Sequence, residues 1–205
     1  MNIFKILLLS HLLFYSCVNN NYDLIEKYIK EVKEKYSPDS RTSLWEVNFS
    51  FENNTLHGET NLPEAKLELI KLINSQNIDV IDNIFLLPDT TILNYGIINN
   101  SVSNLRKLPS HSSELVSQAV LGTRLNVFKK VNEWYLVQTP EGYISWIDHG
   151  GLVVMNKEEF DNYLNGEKIV YNEPFGFSYV TSKKENVVAD LVMVNVLKLV
   201  EKNEN

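Results

Sequence analysis

From Tyr95 onward the sequence breaks into short apolar runs separated by turn residues, and this spacing restricts the fold more than any other feature of the chain. The runs are Gly96 to Asn99, Ser101 to Leu105, Leu115 to Val120, Arg124 to Val131, Trp134 to Gln138 and Gly142 to Ile147. Between them lie Leu108-Pro109, Leu121-Gly122, Asn132-Glu133 and Thr139-Pro140-Glu141-Gly142. Strands this short, punctuated by Gly, Pro and Asn, predict an all-β unit. A small barrel is the expected form, because closure removes the exposed edges that a short open sheet would leave.

The chain ahead of this unit has a different texture. Ile25, Tyr28, Ile29, Val32 and Tyr36 follow helical spacing, and Ser37-Pro38 ends that helix. Trp45, Val47, Phe49 and Phe51 alternate with polar residues as a half-buried strand does, and Asn53-Asn54 turns the chain so that Thr55 to Thr60 can return antiparallel. Pro63-Glu64 suits a first helical turn, with Ala65, Leu69, Leu72 and Ile73 on one face. Ile78 to Leu87 is a long apolar run that reads as a buried strand. The expected order over residues 22–90 is α-β-β-α-β, an α+β domain. On its second strand His57 and Glu59 share a face and could ligate a metal, but two ligands without a third more often mark a solvent-facing edge.

Composition narrows the function. Lys plus Arg total 19 against 26 Asp plus Glu, for a net charge of −7, where a nucleic-acid binder usually carries a basic face. No nucleic-acid partner is expected. One cysteine among 205 residues excludes a disulfide framework, a Cys-rich zinc site and an iron–sulfur centre. That cysteine, Cys17, follows Lys5, an apolar run from Ile6 to Tyr15 broken only by Ser10 and His11, and Ser16. As a helix the run rises about 15 Å, half a bilayer, so it reads as an export signal and not as a membrane span. The arrangement resembles a bacterial lipoprotein lipobox. The resemblance implies a signal peptide over 1–16, lipid attachment at Cys17, a tether over 17–21, and anchorage to the membrane through the N-terminal lipid.

A second resemblance rests on Asn104-Leu105-Arg106-Lys107-Leu108-Pro109, Ser113-Glu114-Leu115-Val116-Ser117-Gln118, Leu121-Gly122-Thr123, Trp134-Tyr135-Leu136-Val137 and Gly142-Tyr143-Ile144-Ser145-Trp146-Ile147. In this order they strongly resemble a bacterial SH3-like (SH3b) domain, and most closely the first SH3b module of NlpC-type cell-wall cysteine peptidases, the γ-D-glutamyl-diamino acid endopeptidases. The segment with Pro38-Asp39-Ser40-Arg41 and Gly58-Glu59-Thr60-Asn61-Leu62-Pro63 is similar to the N-terminal domain of some of these lipoprotein peptidases. The resemblance implies an SH3b barrel over 94–155, a helical connector over 156–166 that Asn156 would cap, and an incomplete second SH3-like module over 167–205.

For the chemistry, a cysteine peptidase needs a thiolate beside a histidine base, and Cys17 would sit at the membrane. No Gly-x-Ser-x-Gly elbow, phosphate loop or metal cluster is present, so neither catalysis nor a cofactor is expected. His111 and Asp148-His149 read as polar turns, and Trp134 and Trp146 as core. In the resembled peptidases an acidic and a tyrosine side chain help to hold the free α-amine of the stem peptide's first alanine. By motif position those roles fall on Glu114 and Tyr143. The other reading of the same residues is a surface charge and a packed ring.

Three functions stay open. One is a non-catalytic envelope lipoprotein, facing periplasm or exterior, whose SH3b module binds peptidoglycan stem peptides weakly. Another is a truncated remnant of an NlpC-type endopeptidase. The third is an interaction subunit that meets a protein partner in the envelope.

Overall fold

A computed structural model describes residues 21–202, in two compact units that divide between Leu87 and Pro88. Cys17 and the residues expected to form an export signal, 1–16, lie outside the described residues.

The first unit opens with a helix, α1, over residues 21–36, whose Ile25, Ile29 and Val32 are buried. Strand β1 (Trp45–Ser50) turns at Asn54, whose φ of 49° is one that asparagine tolerates, into β2 (Thr55–Thr60). Helix α2 (Pro63–Asn74) then carries the chain over to β3 (Ile81–Leu86), which pairs with β2 in parallel. A parallel pair requires such a crossover. The sheet order is β1-β2-β3, so β2 is central. Trp45, Val47, Phe49, Leu56 and Ile84 meet Ala65, Leu69 and Ile73 of α2 and the buried face of α1 in one core. Lys35 and Tyr36 both bond the Glu68 carboxylate, at 2.7 and 2.6 Å, tying the end of α1 to α2.

Two expectations are corrected here. The run Ile78 to Leu87 is not a buried strand. β3 is an edge strand in which only Ile84 is buried, while Ile78 and Leu87 are buried outside it. An apolar run alone does not say which of its residues turn inward, and an edge strand with one covered face buries few of them. His57 and Glu59 lie on the central strand and not at an edge.

Between α1 and β1 the chain is pinned by Asp39, whose carboxylate accepts from the Arg41 side chain and backbone N–H. These bonds lower its pKa from 3.8 to about 2. A depressed folded-state pKa means that this contribution to stability is full above 3.8 and is lost as the pH falls through about 2. Carboxyl carbon shifts followed by NMR are expected to show Asp39 titrating near 2, and Arg41→Ala to return it towards 3.8.

The second unit is built on seven antiparallel strands: β4 (Tyr95–Ile98), β5 (Val102–Arg106), β6 (Leu115–Val120), β7 (Arg124–Val131), β8 (Trp134–Gln138), β9 (Ile144–Asp148) and β10 (Leu152–Met155). Their spatial order is β10-β4-β7-β8-β9-β5-β6. No pairing joins β10 to β6, so the sheet does not close into the expected barrel. Ile98, Leu105, Ala119, Leu125, Val127, Val137, Ile147 and Leu152 form its core, each from the inward-facing set of its strand.

After β10, α3 (Lys157–Asn165) starts with a capping box in which Asn156 and Glu159 satisfy each other's backbone N–H groups. Its Phe160 is buried and stacks on Tyr95 at 4.9 Å. The remainder makes two separate pairs, β11 (Lys168–Val170) with β14 (Val196–Lys198), and β12 (Phe175–Tyr179) with β13 (Val187–Val192). Asn195 ties this segment to the larger sheet. It is fully buried, donates from Nδ2 to the Ser101 carbonyl at 2.9 Å and accepts the Val192 N–H. The neighbouring Val196 N–H donates to the Leu121 carbonyl at 2.9 Å. Gly122 makes room for this approach, because a Cβ there would lie 2.4 Å from the Val196 carbonyl oxygen. The preceding Val194 has a φ of 66°, strained for a β-branched residue and held by these flanking bonds. Among the described residues no helix is long and apolar enough to cross a membrane.

Candidate functional site

Strand β5 alternates strictly. Ser103 and Leu105 are buried, whereas Val102, Asn104 and Arg106 face outward. In the ladder Arg106 stands opposite Trp146 of β9 and beside Leu115 of β6. One residue further, the Lys107 N–H donates to the Glu114 carbonyl at 3.0 Å. Glu114 thus begins the return from the 107–114 loop, and its carboxylate lies 3.5 Å from Lys107 Nζ with both side chains two-thirds exposed. A pair this open contributes little to stability.

Tyr143 closes the β8–β9 turn. Its carbonyl accepts the Thr139 N–H at 3.0 Å and its side chain is 38% exposed. Because Arg106 faces Trp146 in an antiparallel pair, continuing β5 towards the loop runs alongside the start of β9. Glu114 and Tyr143 therefore sit towards the same end of the sheet. Trp134 and Trp146 are buried, at 8% and 9% exposure.

The 107–114 loop does more than turn. Arg106 Nη1 donates to the Ser113 carbonyl at 2.7 Å, and the Leu108 N–H donates to Ser113 Oγ at 2.9 Å. These bonds bring His111 over β8, where its ring meets Trp134 edge-on at 4.9 Å and its Nε2 comes within 3.6 Å of Asp148 Oδ2. His111 is exposed, as a loop residue would be, yet it forms one wall of a groove of about 270 Å³. Asn104, Arg106, Trp134 and Asp148 line the rest, together with Val102. Asp148 Oδ1 caps the short 3-10 turn His149–Gly151 by accepting the Gly150 N–H. His149 Nδ1 lies 3.3 Å from Glu133.

The sequence carries no mark of Asn104 and Arg106 as groove residues. Alternation in β5 places both outward, but only the folded loop shows that the outward face becomes a groove. In the first unit His57 and Glu59 line, with Glu46, Asn48, Asn83 and Phe85, an open concavity of about 820 Å³ on the sheet face that no described helix covers. Among the described residues no three His, Cys, Asp or Glu side chains converge to hold a metal.

Residues 100–153 match the family model of the bacterial SH3 domain, a non-catalytic binding module whose presence supports a cell-wall-associated protein. No curated protein matches the chain. Among solved structures it is similar to an NlpC/P60 endopeptidase from Photobacterium damselae subsp. piscicida, at 12% identity and a TM-score of 0.45, covering 56% of this chain and 29% of that one. It is also similar to an NlpC/P60 family protein from Bacillus cereus ATCC 10987, at 16% identity and a TM-score of 0.43, covering 53% of this chain and 48% of that one. The chain thus spans less than half the length of either structure.

Proposed function

We propose that the chain is a non-catalytic, lipid-anchored envelope protein whose SH3b module docks on peptidoglycan stem peptides. In this reading Cys17 carries the lipid, residues 22–90 form a spacer or interaction domain, and residues 167–205 are the opening strands of a second SH3-like module. The observation that carries it is the bacterial SH3 match over residues 100–153, which contains both Glu114 and Tyr143 with exposed side chains at one end of the sheet. The α-ammonium of the stem peptide's first alanine is a charge-assisted donor, and it is satisfied by the Glu114 carboxylate with the Tyr143 hydroxyl as second acceptor.

Titration of the protein with a synthetic L-Ala-γ-D-Glu-diaminopimelate tripeptide, followed by NMR, tests this. Shifts are expected at Glu114 and Tyr143. Glu114→Gln is expected to weaken binding about tenfold, the worth of one hydrogen bond to a charged group, with folding unchanged. N-acetylation of the peptide is expected to do the same. Binding that ignores both changes removes the two residues from the site. Anchorage is tested separately: Cys17→Ala is expected to move the protein from the membrane fraction to the soluble one, and full retention on membranes would refute the lipid.

A second role, contact with an envelope protein partner, is favoured by the uncovered sheet face of the first unit, where Phe85 is 74% exposed. Crosslinking in cells through position 85 is expected to recover a protein if this face docks one.

A further inference from the structure

The groove beside the 107–114 loop holds two side chains, Asn104 and Arg106, with N–H groups to which no described residue gives an acceptor. Asn104 Oδ1 accepts from Gln118 Nε2 at 3.0 Å, which fixes the amide and turns its Nδ2 donor away from that partner. Arg106 spends one N–H of its guanidinium on the Ser113 carbonyl. That bond holds the side chain in place, and the planar fork has further N–H groups to offer. Residues 104 and 106 are two apart on one strand, so their Cα atoms stand about 7 Å apart and both side chains leave from the same face.

Charge and shape limit what such a groove can take. A guanidinium fork with a neighbouring amide donor matches a carboxylate, which accepts two parallel hydrogen bonds. Asp148 is the negative group in the groove; its Oδ1 accepts the Gly150 N–H, and its Oδ2 lies 3.6 Å from His111 Nε2. An incoming anion meets the Arg106 and Asn104 donors along β5. Val102, 37% exposed, and the Trp134 ring supply an apolar wall beside these donors. At about 270 Å³ the groove falls below the usual size of a drug-sized pocket. It suits one small terminal residue and not a whole peptide.

We infer that this groove binds the carboxylate terminus of a short peptide ending in a small apolar residue, with Arg106 and Asn104 holding the carboxylate and Val102 and Trp134 facing the side chain. The inference deepens the stem-peptide reading and rests on it: Glu114 and Tyr143 take the amine end, and the groove takes the acid end.

The probe is N-acetyl-D-alanyl-D-alanine, which has the carboxylate and lacks the amine, compared with its C-terminal amide. NMR titration of the whole exported chain is expected to show the acid shifting the Arg106 Nε–H and Trp134 indole signals. The amide is expected to bind about tenfold more weakly, because it forfeits the charge-assisted bonds. Arg106→Gln is expected to abolish the preference for acid over amide. Since Arg106→Gln also removes a loop bond, the comparison of acid with amide on the unaltered protein carries the test. Equal binding of acid and amide, or shifts confined to other residues, overturns the inference. The amine-bearing tripeptide, titrated in parallel with its N-acetylated form, reports on Glu114 and Tyr143 through the difference between the two, so either end of the account can fail without the other.

Discussion

Gly58→Ala is expected to abolish the fold of the first unit, lowering its unfolding free energy by at least about 3 kcal/mol. Gly58 lies on the central strand, opposite Val47 of β1 and Ile84 of β3. Its φ is +123°, outside the range that L-residues adopt, and an added Cβ would fall 1.8 Å from the Glu46 carbonyl oxygen. The obstacle is backbone on the neighbouring strand, which cannot move without breaking the β1–β2 ladder. The core of Trp45, Val47, Leu56 and α2 depends on that ladder. Urea unfolding followed by far-UV circular dichroism measures the loss. The neighbouring His57→Ala, at an exposed side chain, is expected to stay within about 0.5 kcal/mol of the unaltered protein. Equal and small effects of the two would show that β2 and β1 do not approach as described.

Trp134→Ala is expected to destabilise the second unit by about 3–5 kcal/mol, the range for a large buried ring whose cavity does not collapse. The ring is 8% exposed and starts β8, paired with Asp148 across the β8–β9 ladder. It also packs against His111, so its loss takes away the floor of the groove as well as core volume. His111→Ala removes the same contact from the solvent side. With its side chain 77% exposed, that change is expected to cost less than about 1 kcal/mol. If the two variants are equally stable, Trp134 is a surface ring and not a structural one.

Much of the second unit was legible because its signals are local. Turn residues bound β6, β7 and β8 where Leu121-Gly122, Asn132-Glu133 and Thr139-Pro140 stand. Asn156 with Glu159 announces α3 through a capping box that spans only four residues. In α1 and α2 the apolar spacing picks out the residues that are buried, Ile25, Ile29 and Val32, and Ala65, Leu69 and Ile73. What escaped the sequence depends on partners far along the chain. The exposure of β3 follows from its place at the edge of a three-stranded sheet, and nothing within Ile78 to Leu87 encodes that place. The sheet of the second unit stays open, and the segment that follows α3 is tied to it by Asn195 bonding Ser101, residues separated by 94 positions. A buried asparagine with both ends of its amide satisfied leaves no periodic trace. The same holds for the groove. Glu114 and Tyr143 came from motif position, whereas Asn104 and Arg106 acquire meaning only when the 107–114 loop folds His111 onto Trp134.

The central claim is that the SH3b module recognises stem peptides. Titration with the stem peptides that an amidase releases from purified sacculi, whose first alanine carries a free α-amine, tests it most directly. The account predicts binding of the released peptides, weakened binding once their amines are acetylated, and weakened binding by Glu114→Gln. Equal binding of the acetylated and unacetylated peptides, or none of either, would contradict it.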